Sequence, residues 1–267
     1  MLKFDKIDNG KAFDWGNASD DYGRFRDIYP KSYYGALESF GFAKNGQSIL
    51  DIGTGTGVIS RTIYNPTLTI TGIDISENQI NKAIELSSIE NKKIDYYTKP
   101  AEDTLLKSKS FDSIIAAQCY IYFDIPRLMN EIDRLLKPGG KFYITWFCWL
   151  PLESKIAEFS EELILKYNPD WKGAGFTRDF KMKFDTEPYN FILKDQVRYD
   201  EKIPFTKESW AGRIRATRGV GAVLNNEDLN KFNKEHLEQL NDGNQEELLI
   251  PHLILINSYK RKNDETI

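Results

Sequence analysis

The stretch LDIGTGTG, residues 50–57, decides how this chain reads. It stands between a short apolar run, QSILDIG (47–53), and a stretch of helical character at 58–64. A strand, a glycine turn and a helix in immediate succession open a βαβ unit. Glycines at 53, 55 and 57 permit a tight turn and let a ligand approach the main chain. Their spacing separates two kinds of nucleotide site. Dinucleotide-binding turns favour G-x-G-x-x-G. This turn is G-x-G-x-G, with Asp51 two residues ahead of the first glycine.

Downstream, strands and helices alternate. LTITGID (68–74) reads as the second strand and SENQINKAIELSSIE (76–90) as a helix, with Ser76 as its cap. Ile80, Ala83, Ile84 and Ser87 are expected on one face of it. KIDYYT (93–98) and FDSIIAAQ (111–118) are the third and fourth strands. Residues 125–136 form a helix with apolar positions at 125, 128, 129, 132, 135 and 136. KPGG (137–140) stops it, and KFYITWF (141–147) is strand five. This alternation implies a parallel sheet covered on both faces, doubly wound because crossovers are right-handed.

After Trp149 the alternation breaks. Helices are expected at 152–167, 206–217 and 226–241, an irregular stretch at 168–190, a strand within 195–205 and a last strand at 249–260. The fold class expected is α/β, a doubly wound, mostly parallel seven-stranded sheet with helical lid insertions over the ligand crevice. Three regions follow from it: an N-terminal helical lid segment at 1–45, a cofactor-binding α/β core at 46–150, and the rest of the sheet with substrate-lid insertions at 151–267.

The acidic residue and glycine turn at 51–57 resemble motif I of class I S-adenosylmethionine-dependent methyltransferases. The resemblance implies S-adenosylmethionine as cofactor and S-adenosylhomocysteine as product. Asp51 would act near the amino-acid end of the cofactor, with Gly53, Gly55 and Gly57 passing beside it. Asp74 ends strand two about 20 residues after the turn, where a carboxylate suits a ribose diol. Ile75 is counted with it on the cofactor side. In PAEDTLL (100–106), Ala101 and Glu102 match the family's adenine-binding position best, with Asp103 as the rival. The buried fourth strand, the helix after it and LLKPGGKFYITW complete a pattern that covers residues 47–147.

Upstream, YGRFRDIYP (22–30) is similar to the Y-x-x-x-R-P-x-Y-P segment of a small-molecule branch that includes trans-aconitate methyltransferase-like proteins; Asp27 stands where proline is frequent. Tyr22 and Arg26 are thereby expected at the cofactor and Tyr29 at the substrate. QCYIY (118–122) follows strand four, where the branch often reads Q-A-x-H-W. Gln118 would border the cofactor and Tyr120 face the acceptor. Ile121 occupies the histidine position, so a base there is lost. An N-P-P-Y motif is absent, which argues against amide or nucleobase amine methylation of that type.

WAGRIRATRG (210–219) carries Arg213, Arg215 and Arg218. A solvated basic helix is the commoner reading of such a run. The alternative is an anion site, in which Arg215 and Arg218, three apart on one face, grip a substrate carboxylate or phosphate. His236, in a polar helix, and His252, before a buried strand, are not assigned as bases. No catalytic residue is assigned: methyl transfer needs alignment above all, and a base only when the acceptor is a hydroxyl, thiol or protonated amine.

Composition sets outer limits. A net charge of −4 gives no electrostatic reason to expect nucleic acid. The charged N-terminus MLKFDKIDNG lacks a signal peptide's apolar run, and ITWFCWLPL (144–152) is too short to cross a bilayer. Two cysteines, Cys119 and Cys148, and two histidines make a disulfide framework or a structural zinc unexpected. The expectation is a cytoplasmic enzyme that methylates a small, anionic or neutral molecule at oxygen, nitrogen or carboxylate, without nucleic acid, membrane or metal; its oligomeric state is left open. Two other readings stand beside it, a non-catalytic S-adenosylmethionine-binding or interaction protein and an NAD-dependent oxidoreductase.

Overall fold

The computed structural model describes residues 2–26, 28–179, 187–243 and 246–265. Asp27, and the 180–186 part of the irregular stretch, lie outside the described residues. The chain divides into two compact units. A sheet unit takes Tyr29–Phe147, Met182–Tyr199 and Ile254–Ile267, and a helical unit takes Met1–Ile28, Cys148–Lys181 and Asp200–Leu253.

One seven-stranded sheet has the order β3-β2-β1-β4-β5-β7-β6. Its strands are β1 (Ser48–Ile52), β2 (Thr69–Asp74), β3 (Asp95–Thr98), β4 (Phe111–Ala117), β5 (Leu136–Trp149), β6 (Phe191–Phe205) and β7 (Leu248–Arg261). Pairs β1–β2, β1–β4, β2–β3 and β4–β5 are parallel. The mostly parallel sheet with flanking helices is the Rossmann-like methyltransferase fold. The strand order departs from the 3-2-1-4-5-6 order of dinucleotide-binding domains by placing β7 between β5 and β6.

In the sheet unit the helices are α2 (Lys31–Ser39), α3 (Val58–Ile63), α4 (Glu77–Ile89) and α5 (Ile125–Leu135). α5 starts where the Asp124 side chain accepts the Arg127 N–H at 3.3 Å, with Pro126 in its first turn. Leu128, Met129, Ile132 and Leu135 are fully buried in one cluster with Leu50, Ile52, Ile114, Phe142 and Ile144. Each such side chain stabilises the fold by roughly 1.5–3 kcal/mol. α4 differs from the expected face. Gln79, Ile80, Ala83 and Ser87 are buried, whereas Ile84 points outward at 48% exposure.

KPGG does more than stop a helix. Phe111 faces Leu136 and Ser113 faces Lys141, so the segment bulges out of β5 and the strand begins at Leu136. Proline has no N–H for the ladder, which suits it to a bulge.

The helical unit holds α1 (Ser19–Phe25), α6 (Lys155–Tyr167), α7 (Lys207–Arg215) and α8 (Asn226–Asn241). Ser154, Thr206 and Asn225 cap the last three with side-chain acceptors. His236 of α8 is buried and lies 2.9 Å from Ser160 Oγ. His252 is buried in β7, its Nδ1 2.9 Å from the Ile250 carbonyl and its ring stacked on Phe205. Burial pushes His236 down to about 4 and His252 to about 3, so both are neutral in the fold. Among the described residues no helix is long and apolar enough to cross a membrane.

Candidate functional site

In open α/β sheets ligands bind outside the carboxyl ends of the strands, and here Asp51, Asp74 and Gln118, expected at the site from the sequence, lie at or next to the ends of β1, β2 and β4. Asp51, near the end of β1, is 1% exposed. Its Oδ2 accepts from Thr54 Oγ1 at 2.7 Å and from Ser60 Oγ at 2.8 Å. Desolvation outweighs these donors and raises the carboxyl to about 6, with Asp74 adding to the shift. Thr54 and Ser60 were not singled out in the sequence, although a hydroxyl inside the turn and one a helical turn beyond it were visible there.

The turn itself is left-handed at Gly53, Gly55 and Gly57, with φ of +63°, +56° and +77°. A Cβ on Gly57 would stand 2.3 Å from the Tyr96 hydroxyl. The close approach at this glycine is therefore made by a β3 side chain, and Tyr96 is a residue the sequence reading missed. Thr54 N–H donates to the Ile73 carbonyl at 2.9 Å and ties the turn back to β2.

Asp74 ends β2 with both oxygens engaged. Oδ2 accepts the Gly55 N–H at 3.0 Å and Oδ1 the Ser76 N–H at 2.9 Å. The Ser76 side chain makes no capping bond. The expectation of a serine cap is thus corrected: the aspartate reaches the amide two residues on, a local bond that short acidic side chains form readily. Ile75 beside it is 56% exposed. Past β3, Ala101 is buried in the core cluster and Glu102 Oε1 accepts the Asp124 N–H at 2.9 Å.

After β4, Gln118 takes a left-handed φ of +59° and its Nε2 donates to the Tyr29 hydroxyl at 3.2 Å. Two residues 89 apart and separately expected at the site are brought together. Tyr29 packs on Tyr33 at 4.5 Å and Phe147 at 5.1 Å. Tyr33, another residue not foreseen, is buried with its hydroxyl 2.7 Å from Thr145 Oγ1. Burial raises both the Tyr33 phenol and the Cys119 thiol well above their ordinary values, and Asp51 reinforces both shifts. Tyr120 is not presented to an acceptor: it is 5% exposed and sits in the core cluster with Phe142. A short 3₁₀ turn, Tyr120–Tyr122, directs it inward.

The remaining expected residues lie in the helical unit. Tyr22 and Arg26 contact one another, the guanidinium 4.6 Å over the ring and 3.2 Å from the hydroxyl. Arg215 and Arg218 do not form the expected anion site. α7 ends at Arg215, so Arg218 lies beyond its helical face. Arg215 grips Asp21 through two bonds of 2.8 and 2.9 Å, and Arg218 pairs with the buried Asp8. Long-range carboxylates already hold both guanidinium groups.

Residues 50–144 match the model of the family described as methyltransferase domain. The ubiquinone biosynthesis O-methyltransferase of Bartonella tribocorum is 29% identical over 174 residues, covering 61% of this chain and 66% of that one. Phosphoethanolamine N-methyltransferase 1 of Arabidopsis thaliana is 32% identical over 177 residues, 60% of this chain and 34% of its own. The chain therefore spans less than two thirds of the length of either relative. Among solved structures, Haemonchus contortus phosphoethanolamine N-methyltransferase 2, in complex with phosphomonomethylethanolamine and S-adenosylhomocysteine, has a TM-score of 0.55 at 21% identity, covering 96% of this chain and 58% of that one. YcgJ of Bacillus subtilis has a TM-score of 0.55 at 19% identity, covering 87% and 100%. These two likenesses concern the fold.

The matched stretch, residues 50–144, is similar to a methyltransferase domain, and S-adenosylmethionine is the cofactor expected there. The residues present fit that cofactor. A buried carboxylate flanks a left-handed glycine turn, a second carboxylate is fixed one strand away, and an exposed isoleucine follows it.

Proposed function

We propose that this chain transfers a methyl group from S-adenosylmethionine to a small-molecule acceptor, at an oxygen, a nitrogen or a carboxylate. The observation that carries the reading is the pair of carboxylates, Asp51 and Asp74, set on either side of the glycine turn. The cofactor supplies an electrophilic methyl group. Asp74, its oxygens pinned by two backbone N–H groups, keeps further lone pairs for a ribose diol. Exposed Ile75 offers an apolar face to an adenine. Glu102 spends one oxygen on Asp124 and has a second for the adenine amino group, beside Ala101. Asp51, with Gly53, Gly55 and Gly57, serves the amino-acid end.

On the acceptor side, Gln118 and Tyr29 position groups through their mutual bond. Cys119 and Tyr33 stay protonated and are poor bases. This suits an acceptor whose lone pair is already available, such as a carboxylate or a neutral amine. Relatives named as O-methyltransferases and N-methyltransferases support both oxygen and nitrogen acceptors. The reading extends to an anionic acceptor and to placement in the trans-aconitate-like branch.

Titration calorimetry with S-adenosylhomocysteine tests the core of the reading. Binding is expected in the wild type, with at least a tenfold loss in Asp74→Ala and no binding of NAD. Absence of S-adenosylhomocysteine binding to the wild type, or unchanged affinity in Asp74→Ala, overturns it.

A further inference from the structure

The segment between β3 and β4 carries Ala101 and Glu102, yet residues 99–110 form no helix or strand of their own. Backbone groups in such a stretch need partners. α5 supplies them through two side chains, Glu131 and Arg134, three residues apart on one face. Glu131 Oε1 accepts the Thr104 N–H at 2.9 Å and the Thr104 hydroxyl at 2.6 Å. Arg134 grips the same carboxylate through Nε to Oε2 and Nη2 to Oε1, each 2.7 Å long. Its Nη1 donates to the Leu106 carbonyl at 2.7 Å and to Ser108 Oγ at 2.9 Å. Glu131 is buried, and bonds of this kind to an ionised group are the strong ones.

The clamp fixes a conformation that the segment does not favour alone. Leu105, between the clamped residues, has a left-handed φ of +55° with its side chain 81% exposed. That region disfavours a leucine, and an exposed side chain brings no packing to offset it. The Leu106 N–H donates to Thr104 Oγ1 at 3.1 Å and closes the turn. Just before it, Glu102 Oε1 accepts the N–H of Asp124, the residue that caps α5, at 2.9 Å. One helix therefore sets both ends of the segment, Glu102 at its start and Thr104 to Ser108 near its finish. Only Asp103 stands between Glu102 and Thr104, so where Glu131 holds Thr104 limits where Glu102 Oε2 can be.

We propose that the Glu131–Arg134 pair positions Glu102, and that Glu102 so placed selects a purine bearing an amino group over one bearing an oxo group. The role in reading the base rests on the methyltransferase reading above; the clamp stands on the bonds just given. A carboxylate oxygen accepts hydrogen bonds and donates none. Adenine presents N–H at its 6-position, whereas hypoxanthine presents a carbonyl oxygen there and leaves two acceptors opposed. A site built to bond one partner rejects an analogue that cannot make the bond.

Calorimetry with S-adenosylhomocysteine and with its hypoxanthine counterpart, S-inosylhomocysteine, tests this through the ratio of the two affinities. A smaller fraction of folded protein weakens both ligands by one factor and cancels in the ratio. A displaced Glu102 does not cancel. The wild type is expected to prefer S-adenosylhomocysteine at least tenfold, and Glu102→Gln, whose amide can also donate, to bring the ratio close to one. Glu131→Gln and Arg134→Met are expected to lower the ratio at least threefold. The proposal is overturned if Glu102→Gln keeps the wild-type ratio, or if Glu131→Gln and Arg134→Met both keep it. Should Glu131→Gln fail to fold by circular dichroism, Thr104→Val takes its place, and a wild-type ratio there overturns the proposal. Equal binding of both ligands by the wild type overturns this proposal alone. A wild type that binds neither sinks the methyltransferase reading and this proposal with it.

Discussion

Ser60 Oγ donates a hydrogen bond of 2.8 Å to Asp51 Oδ2, in a place where both side chains are buried. The bond joins the first turn of α3 to the end of β1 and sets how readily Asp51 ionises. Burial alone would raise the carboxyl further; the Ser60 and Thr54 hydroxyls hold the rise to about 6.

An ionised Asp51 attracts the ammonium of the proposed cofactor, and a protonated one does not. S-adenosylhomocysteine affinity is therefore expected to level off above about pH 6 and to weaken as pH falls below it. Ser60→Ala removes a donor to the charged form, so its profile should move to higher pH. Asp51→Asn should bind weakly at every pH. Calorimetric titrations from pH 5 to 8 check this, and superimposable profiles for wild type and Ser60→Ala would refute it. Without ligand the sign is opposite. The raised value means that the contribution of Asp51 to stability is full below the unfolded value of 3.8 and is lost as pH rises through about 6.

Gly57→Ala places a methyl group 2.3 Å from the Tyr96 hydroxyl and 3.0 Å from its ring carbon, on backbone with φ +77°. Both the clash and the left-handed conformation oppose the change. A loss of about 2–4 kcal/mol in urea unfolding is expected, together with weaker S-adenosylhomocysteine binding. Tyr96→Phe in the same background should recover only part of the stability, since the backbone strain remains. A Gly57→Ala variant as stable as the wild type would show that Tyr96 moves aside at no cost.

Burial keeps His236 and His252 neutral, with values lowered to about 4 and about 3. Their share of stability is present above the unfolded value of 6.5 and is lost as pH falls toward those values. Between pH 7 and 5 each histidine should cost the fold on the order of 2 kcal/mol. A His236→Asn, His252→Phe double variant should lose less stability over that interval than the wild type. Urea midpoints at the two pH values measure it, and equal losses in both proteins would rule it out.

The glycine turn, Asp51, Asp74 and the alternation through β5 were legible because their signals are local: strand, turn and helix succeed one another within a few residues. Local reasoning failed where chemistry competes at short range. Ser76 was the expected cap, yet Asp74 took its amide, and Ile84 kept the helical period while facing outward. It failed again where partners are far apart in the chain. Arg215 meets Asp21 across 194 residues and Arg218 meets Asp8 across 210. Nothing in WAGRIRATRG says which arginine will find a carboxylate and which an indole face. By itself the sequence determined the sheet's parallel half and the two carboxylates at its strand ends, because period and turn chemistry are written residue by residue. Only tertiary structure decided which charges are paired, which histidines are buried and where β7 enters the sheet, because burial and long-range ion pairing depend on what the rest of the chain brings alongside.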